Sequence, residues 1–225
     1  MEICKLNNIR KDYRMGELVT PLKDVSLTVN PGDFIAVEGP SGIGKSTLLY
    51  VMGLLLQSDN GTYTFDGKDV SLLSDGEKSD LRSKKIGFLF QDATLIQALT
   101  LRENLIFSYN LIKKSPDLKR VDELLYRFGL DDRANFLPHQ LSGGQRRRLM
   151  AARCIIHEPS LILADEPTND LDEHWSNEII AMLQQEAQRG AGIVMVTHNS
   201  RWAQLAGSRY RLDDGVLTDI TKEEI

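Results

Sequence analysis

Short apolar runs bounded by turn residues occur near both ends of the chain, and this pattern predicts β-strands. Segments with apolar residues at helical spacing lie between these runs. The predicted strands are Ile3–Tyr13, Val25–Val29, Phe34–Val37, Gly61–Asp66, Ile86–Phe90, Leu161–Asp165, Ile193–Thr197, Arg209–Leu212 and Val216–Ile220. The predicted helices of these regions are Ser46–Leu56, Asp75–Lys85 and Glu173–Gln188. Strands that alternate with helices predict a mainly parallel sheet, which binds ligands at the carboxyl ends of its strands.

The middle of the chain has a different pattern. Apolar residues between about 99 and 130 follow helical spacing on both sides of Pro116, which predicts two helices. We therefore expect a single α/β domain over residues 1–225. A helical lobe at about 92–157 is inserted into a β-rich core at about 1–91 and 158–225.

Composition limits the class of protein. The formal net charge is −5, which argues against nucleic acid as the main partner. No apolar run approaches the ~20 residues that cross a bilayer, and the N-terminus lacks the charged-then-apolar pattern of a secretion signal. The two cysteines, Cys4 and Cys154, have no metal-binding spacing. We expect a protein of a reducing compartment that is neither secreted nor membrane-spanning.

A glycine-rich segment between a predicted strand and a predicted helix fits the pattern GxxxxGK[ST]. Its glycines let backbone N–H groups surround phosphate oxygens, and the following helix adds the positive end of its dipole. Lys45 would reach the β- and γ-phosphates, Ser46 would bind Mg²⁺ and Thr47 would help to hold the α-phosphate. The alternative is a glycine-rich turn with a surface lysine. The predicted phosphate loop consists of Gly39, Pro40, Ser41, Gly42, Ile43, Gly44, Lys45 and Ser46.

Two acidic residues end the apolar strand at 161–165. Asp165 suits the outer shell of Mg²⁺, and Glu166 suits polarisation of an attacking water. Adjacent strand residues point to opposite faces, so the two carboxylates can have these roles only if the strand ends there. Pro167 supports that ending. Many strands end in acids, so this interpretation depends on the phosphate loop upstream.

A second candidate anion site precedes the predicted helix Arg146–Ile156. A Ser-Gly-Gly sequence that opens a helix presents a nest of backbone N–H groups. One nucleotide does not need two such nests from one chain, so we expect the second to bind the γ-phosphate held by another subunit. The alternative is an ordinary helix N-cap by Ser142. This segment, the signature nest, consists of Ser142, Gly143, Gly144 and Gln145.

Two further polar features carry weaker signals. His198 follows the last core strand, where it could contact the γ-phosphate and orient the water, although a lone histidine is more often structural. The run Arg146–Arg148 could suggest nucleic acid. On a helix, however, these three side chains point in different directions, which favours a solvated or interface face.

With these motifs in this order, the chain resembles the ABC (ATP-binding cassette) ATPase family from Tyr13 to Gly215. The resemblance implies a P-loop NTPase core with a mainly parallel sheet, an N-terminal antiparallel β-subdomain and an inserted helical subdomain. It implies that Tyr13 stacks on adenine, with a strand-end aromatic as the alternative. It implies that Gln91 links Mg²⁺ and water to a membrane-partner contact, with a polar cap as the alternative. It also implies that Glu166 and His198 are catalytic and that Asp172 lies in a loop crossing the dimer interface.

The same resemblance implies ligands and partners. ATP and Mg²⁺ would be sandwiched between two copies of the chain in a head-to-tail dimer. An integral membrane permease would hold the chain at the cytoplasmic face of the cell membrane. A finer resemblance, to ATPases of lipoprotein-release and macrolide- or peptide-export systems, rests on Leu22–Leu27, Asp69–Phe90 and Leu99–Asn104. It implies an exporter or a mechanotransmission system.

Two alternatives to this function stay open. One is a soluble ABC ATPase that acts on a macromolecular complex. The other is a different P-loop enzyme, such as a small-molecule kinase or a GTPase, against which the signature nest argues.

Three segments depart from the family pattern. Ile43 replaces a smaller residue in the phosphate loop, where the backbone does the binding. The loop Asn169–Asp172 differs from the common Ser-Ala-Leu-Asp form but keeps Asp172. Residues 92–96, where a membrane partner is expected to dock, lack the usual aromatic-then-proline pattern.

Overall fold

The computed structural model describes residues 1–90, 95–112 and 116–223, and this part of the chain forms a sheet with helices packed against it. The strands are β1 (Cys4–Met15), β2 (Glu17–Val29), β3 (Phe34–Glu38), β4 (Asn60–Phe65), β5 (Lys68–Asp69), β6 (Ile86–Leu89), β7 (Leu161–Asp165), β8 (Gly192–Val196), β9 (Ser208–Asp213) and β10 (Val216–Asp219). The helices are α1 (Lys45–Met52), α2 (Asp75–Lys85), α3 (Leu101–Asn110), α4 (Leu118–Arg127), α5 (Gly143–Ile155), α6 (Glu173–Gln188) and α7 (Ser200–Ala203).

The parallel part of the sheet has the order β9-β3-β8-β7-β6. Every residue of β7 and β8 is buried, which explains why the sequence shows continuous apolar runs there. Alternate residues enter two different cores: Ile162 and Ala164 join the core with α5 and α6, and Leu161 and Leu163 join the core with α1 and β1. Parallel strands place their carboxyl ends at one edge of the sheet. The predicted α/β fold with a mainly parallel sheet is confirmed.

The antiparallel part contains β1, β2, β4 and β5, with β1 paired to both β2 and β4. The predicted strand Val25–Val29 was too short, because β2 begins at Glu17. The first residues of β2 are exposed or half-buried, so its hydrophobic pattern is weak there. Pairing with β1 brings Val19 opposite Tyr13 and thereby places both residues at the end of the hairpin.

Helix α1 ends four residues earlier than its apolar sequence predicts. Its last residue is Met52, and Gly53 donates its N–H to the Leu49 carbonyl at 2.8 Å. A Cβ at Gly53 would lie 2.5 Å from a ring carbon of Phe88, and Leu54 has a positive φ of 57°. The close approach of β6 therefore ends the helix, although the residues that follow are apolar.

The middle of the chain is helical, as its spacing predicts. Helices α3 and α4 lie on either side of Pro116, and the fully buried Leu105, Val121 and Leu149 join α3, α4 and α5 in one core. The limits of the helical lobe, about 92–157, remain a prediction. Among the described helices, none combines the length and the apolar character needed to cross a lipid bilayer.

Candidate nucleotide-binding site

The predicted phosphate loop connects β3 to α1, and its glycines adopt conformations that other residues rarely reach. Gly44 caps α1 with φ 116°, and a Cβ there would lie 2.7 Å from the Pro21 carbonyl oxygen. Gly42 also has a positive φ, of 78°, but nothing lies within 4 Å of its missing Cβ. The loop therefore packs against β2 on one side and leaves its backbone open on the other.

Lys45 is folded over this loop. Its Nζ donates to the carbonyl oxygens of Gly39 at 2.7 Å and Pro40 at 2.8 Å, and the residue is 8% exposed. The backbone of the phosphate loop therefore fixes the position of the ammonium group. Phosphate oxygens placed inside the loop would meet both this cation and the N-terminus of α1.

Ser46 and Asp165 meet at the carboxyl end of β7. The Ser46 hydroxyl donates to Oδ2 of Asp165 at 2.7 Å. Burial raises the pKa of Asp165; the hydrogen bond from Ser46 lowers it, and the charge of Glu166 raises it. Two adjacent hard oxygen ligands fit Mg²⁺, which usually takes few ligands from a protein and keeps waters and phosphate oxygens as the rest. The described residues contain no group of three or more His, Cys, Asp or Glu side chains arranged as a metal site.

Glu166 turns away from Asp165 through its backbone. Its φ is 46°, in the left-handed region, and its N–H donates to the Val196 carbonyl at 2.9 Å. The carboxylate accepts from the Thr197 hydroxyl at 3.1 Å and from the His198 N–H at 2.9 Å. Strand β7 ends at Asp165, so the two carboxylates can face different groups, as the sequence required.

His198 lies beside Glu166. Its Nδ1 is 2.7 Å from Oε1 of Glu166, and its side chain is 69% exposed. A carboxylate that holds Nδ1 fixes the ring and leaves Nε2 directed elsewhere. The imidazole could therefore contact a ligand without releasing Glu166.

These groups line one cavity of about 450 Å³. Three of its residues were not predicted as site residues: Val19, Pro21 and Asn169. The first two arrive through pairing of β2 with β1, which local sequence does not reveal. The predicted residues that line it are Tyr13, Ser41, Gly42, Gly44, Lys45, Ser46, Thr47, Asp165, Glu166 and His198.

Three predicted loop residues do not line the cavity. Gly39 and Pro40 contribute the carbonyl oxygens that hold Lys45. Ile43 packs against the core that contains α1. The predicted residue Gln91 lies outside the described part of the chain, so its place in the site is not assigned.

The signature nest borders a second cavity, of about 660 Å³, together with Asp172 and Trp175. Ser142 caps α5: its hydroxyl accepts from the Gln145 N–H at 3.2 Å, and the Gln145 side chain accepts from the Ser142 N–H at 2.9 Å. The alternative of a helix N-cap is thus correct as local structure, and it leaves the nest open to a ligand. Asp172 caps α6 by accepting from the Trp175 N–H at 2.9 Å.

The two cavities share no described residue but lie at the two sides of one loop. Asn169 lines the first cavity, and Asp170 lines the second. The phosphate loop and the signature nest of one chain therefore belong to separate surfaces. Sequence motifs predict both surfaces, but only the fold shows that a short connection joins them.

The arginine run at the start of α5 does not form one solvated face. Arg146 donates to the Leu141 carbonyl at 3.1 Å. Arg148 donates to the Phe128 carbonyl at 2.7 Å, and its guanidinium lies 3.9 Å from the ring centroid of Trp175. Arg147 is only 5% exposed. The prediction of a solvated or interface face is therefore wrong for Arg147, because main-chain carbonyls from distant segments surround it.

Comparison with known proteins identifies the family. The family model "ABC transporter" matches residues 22–169. An uncharacterised ABC transporter ATP-binding protein of Bacillus subtilis, YvrO, is 41% identical over 94% of this chain and 94% of its own length. A lipoprotein-releasing system ATP-binding protein, LolD 1, of Rhodopseudomonas palustris is 40% identical over 96% of this chain and 98% of its own length.

A third relative is longer than this chain. The macrolide export ATP-binding/permease protein MacB of Syntrophobacter fumaroxidans is 40% identical over 96% of this chain but only 31% of its own length. The chain thus spans about a third of that protein.

A solved structure has the same fold over almost the whole chain. A dimeric ATP-binding cassette in a post-hydrolysis state, bound to ADP and Pi, matches 99% of this chain and 100% of its own with a TM-score of 0.92 and 35% identity. The sequence matches, the fold and the position of the phosphate loop beside the end of β7 all indicate the same family. The chain therefore belongs to the ABC transporter family, as an ATP-hydrolysing cassette.

Proposed function

We propose that this cassette is the ATPase subunit of an exporter or a mechanotransmission system, and that it works as a head-to-tail dimer on a membrane permease. Its place would be peripheral, at the cytoplasmic face of the cell membrane. The observation that carries this proposal is the separation of the two phosphate-binding surfaces, one at the phosphate loop and one at the signature nest. In a head-to-tail pair, each nest would close the other chain's phosphate loop over ATP.

Binding of ATP is assigned to the first cavity. Lys45 would exchange the two loop carbonyls for phosphate oxygens, and Tyr13 would stack on the adenine ring. Mg²⁺ would neutralise charge on the β- and γ-phosphates, and Ser46, Asp165 and Gln91 are the residues that would hold it. The proposed nucleotide contacts are Tyr13, Gly39, Pro40, Ser41, Gly42, Ile43, Gly44, Lys45, Ser46 and Thr47, with Ser142, Gly143, Gly144, Gln145 and Asp172 from the second chain.

Hydrolysis is assigned to three residues. Glu166 would polarise the attacking water, because its carboxylate is fixed by Thr197 and His198 at the cavity wall. His198 and Gln91 would contact the γ-phosphate and the water. Most of the rate gain comes from positioning and charge stabilisation, as in other phosphoryl transfers.

The coupling of hydrolysis to work follows from the sandwich. While ATP is intact, its γ-phosphate would bind the loop of one chain and the nest of the other through charge-assisted hydrogen bonds. Cleavage removes that link, so the dimer loosens. A permease attached to both chains would change its conformation as the distance between the chains changes.

An apolar groove on the surface supports the proposal that a helical segment of the permease docks on this chain. Phe107 of α3 is 44% exposed, Leu111 directly after α3 is 58% exposed, and Leu55 beyond α1 is 52% exposed. They line a groove of about 390 Å³ together with Phe88 and Ile96. An amphipathic helix would bury these side chains. The relatives named for macrolide export and lipoprotein release support a permease of the export type for this chain.

The catalytic part is tested with the Glu166→Gln variant. We expect it to bind ATP, to form a stable dimer with Mg-ATP and to lose hydrolysis by at least about 100-fold, because the amide cannot accept a proton from water. Phosphate release and light scattering after size exclusion measure the two properties. Wild-type turnover by this variant would exclude Glu166 as the general base.

The partner is tested by affinity capture. Tagged Glu166→Gln protein is incubated with solubilised membranes of the source organism and Mg-ATP, and Lys45→Ala serves as the control that cannot hold the nucleotide. We expect a polytopic membrane protein with an extracytoplasmic domain to be retained. Retention of soluble protein, ribosomes or DNA alone would move the function to a soluble ABC ATPase.

A further inference from the structure

Arg147 connects helix α5 to the edge of the sheet where the candidate catalytic groups lie. Its guanidinium donates to the carbonyl oxygens of Phe90 and Glu166. These residues directly follow β6 and β7, two neighbouring parallel strands. Arg147 itself belongs to the second turn of α5, the helix that begins at the signature nest.

The position of Arg147 differs from that of the arginines beside it. Arg146 and Arg148 donate to carbonyls of Leu141, Phe128 and Gly129, which lie in the helical middle of the chain. Arg147 reaches across to the sheet. A buried cation needs hydrogen-bond partners. A planar guanidinium presents its N–H donors in a rigid fork, whereas an ammonium group is a compact charge on a flexible stem.

The carbonyl of Glu166 belongs to a residue with an uncommon backbone conformation. Its φ of 46° lies in the left-handed region, which persists in a non-glycine residue only where the surroundings hold it. The N–H of Glu166 is held by Val196, and its carbonyl is held by Arg147. The main chain on both sides of the Glu166 side chain is therefore fixed, one side by β8 and the other by α5.

The positive charge of Arg147 also acts to lower the pKa of Asp165, which lines the nucleotide cavity. The guanidinium is therefore close enough to influence a group of the candidate site.

We propose that Arg147 is a positioning residue for ATP hydrolysis, which ties the signature nest to Glu166 and to Phe90 directly after β6. Through this tie, the nest and the catalytic carboxylate keep a fixed relative position when the dimer closes. The proposal rests on the roles assigned above to Glu166 and to the nest.

The test compares Arg147→Met and Arg147→Lys with the wild-type chain. Methionine fills the space without donors, and lysine keeps the charge but lacks the rigid fork of N–H donors. We expect kcat to fall about 10- to 100-fold for methionine, with lysine between it and the wild type, and KM for ATP to stay within about threefold. In the Glu166→Gln background, both substitutions should weaken Mg-ATP-dependent dimerisation.

Arg127→Met is the matched control. Arg127 also joins two helices, because its guanidinium donates to Oε1 of Gln185 at 2.7 Å, and it lines neither cavity nor the apolar groove. This variant should keep the wild-type kcat. If Arg147→Met does not fold, the lysine variant alone decides the question, with unfolding curves used to correct for the folded fraction.

Two outcomes overturn different claims. If Glu166→Gln is inactive but both Arg147 variants keep kcat within about twofold of the wild type, Arg147 has no positioning role. If Glu166→Gln hydrolyses ATP normally, the assignment of Glu166 fails, and the inference about Arg147 fails with it. A fall in kcat for Arg127→Met equal to that for Arg147→Met would reduce the effect to general destabilisation and would also overturn the proposal.

Discussion

Single residues with left-handed backbone conformations shape the nucleotide cavity. Gly44 lets the phosphate loop approach Pro21, and Glu166 turns its carboxylate from the strand end toward His198. The first conformation costs little because glycine has no Cβ, whereas the second is maintained by hydrogen bonds on both sides. The cavity is thus formed by the backbone before any ligand enters it.

We predict different costs for two alanine substitutions in the phosphate loop. Gly42→Ala should lower the free energy of unfolding by about 1 kcal/mol, since it adds only conformational strain. Gly44→Ala should lower it by about 3 kcal/mol, because the new methyl group also meets the backbone and side chain of Pro21. Urea unfolding without nucleotide measures both. Equal losses would mean that the loop does not pack on β2 as described.

The residues of the site differ in how far sequence predicts them. Lys45, Ser46, Asp165 and Glu166 occur in short motifs whose chemistry is local, and the fold brings them together. Arg147 was expected at a surface, because nothing in its own segment indicates the carbonyls of Phe90 and Glu166 that bury it. Long-range contacts of this kind have no signal in a single sequence.

At the scale of elements, three helices begin with the same arrangement of cap residues. Ser74 with Glu77, Thr100 with Glu103, and Ser142 with Gln145 each form reciprocal side-chain to main-chain hydrogen bonds at the starts of α2, α3 and α5. Such a box satisfies N–H groups that the helix itself cannot. The box of α5 differs in having two glycines inside it and a cavity in front of it.

This repetition gives a matched pair of substitutions. Ser74→Ala and Ser142→Ala should each lower the free energy of unfolding by about 1 kcal/mol, the usual value of an N-cap. Only Ser142→Ala should also weaken Mg-ATP-dependent dimerisation of the Glu166→Gln chain, since only the nest of α5 is proposed to bind the γ-phosphate. Dimerisation that is equally weak in both variants would show that Ser142 acts as a cap and nothing more.

The sequence predicts an element well where its buried residues form a clear apolar pattern. It predicts an element poorly where contacts with other elements decide where the element begins or ends. The fully buried β7 and β8 matched their apolar runs within a residue. The early end of α1 depends on Phe88, and the long β2 depends on pairing with β1. Neither cause is local. Helix α7 and strand β5 were not predicted, since elements of four and two residues are too short to show a period.

At the scale of the whole molecule, the two candidate phosphate-binding surfaces of one chain lie apart from each other. The phosphate loop lines one cavity and the signature nest lines another, with the 166–172 loop between them. A closed two-fold pair would join the two surfaces twice, because a symmetric interface repeats every contact.

Mixing two inactive variants tests this arrangement. Lys45→Ala disables the phosphate loop, and Ser142→Arg blocks the nest, so each alone should hydrolyse ATP at least about 100-fold more slowly. In an equal mixture, half of the pairs are mixed, and each contains one intact composite site. We expect up to about a quarter of the wild-type rate. An absence of any recovery, with both variants folded and associated, would argue against composite sites.

A tryptophan beside the signature nest provides an intrinsic fluorescence signal for association. The chain has two tryptophans. Trp175 borders the nest cavity under the guanidinium of Arg148, whereas Trp202 is 5% exposed inside the protein. Closure of a second chain over the nest would change the solvent around Trp175 and leave Trp202 as a constant background. With Trp202→Phe, the emission of a single natural indole would follow association in real time, without an attached dye.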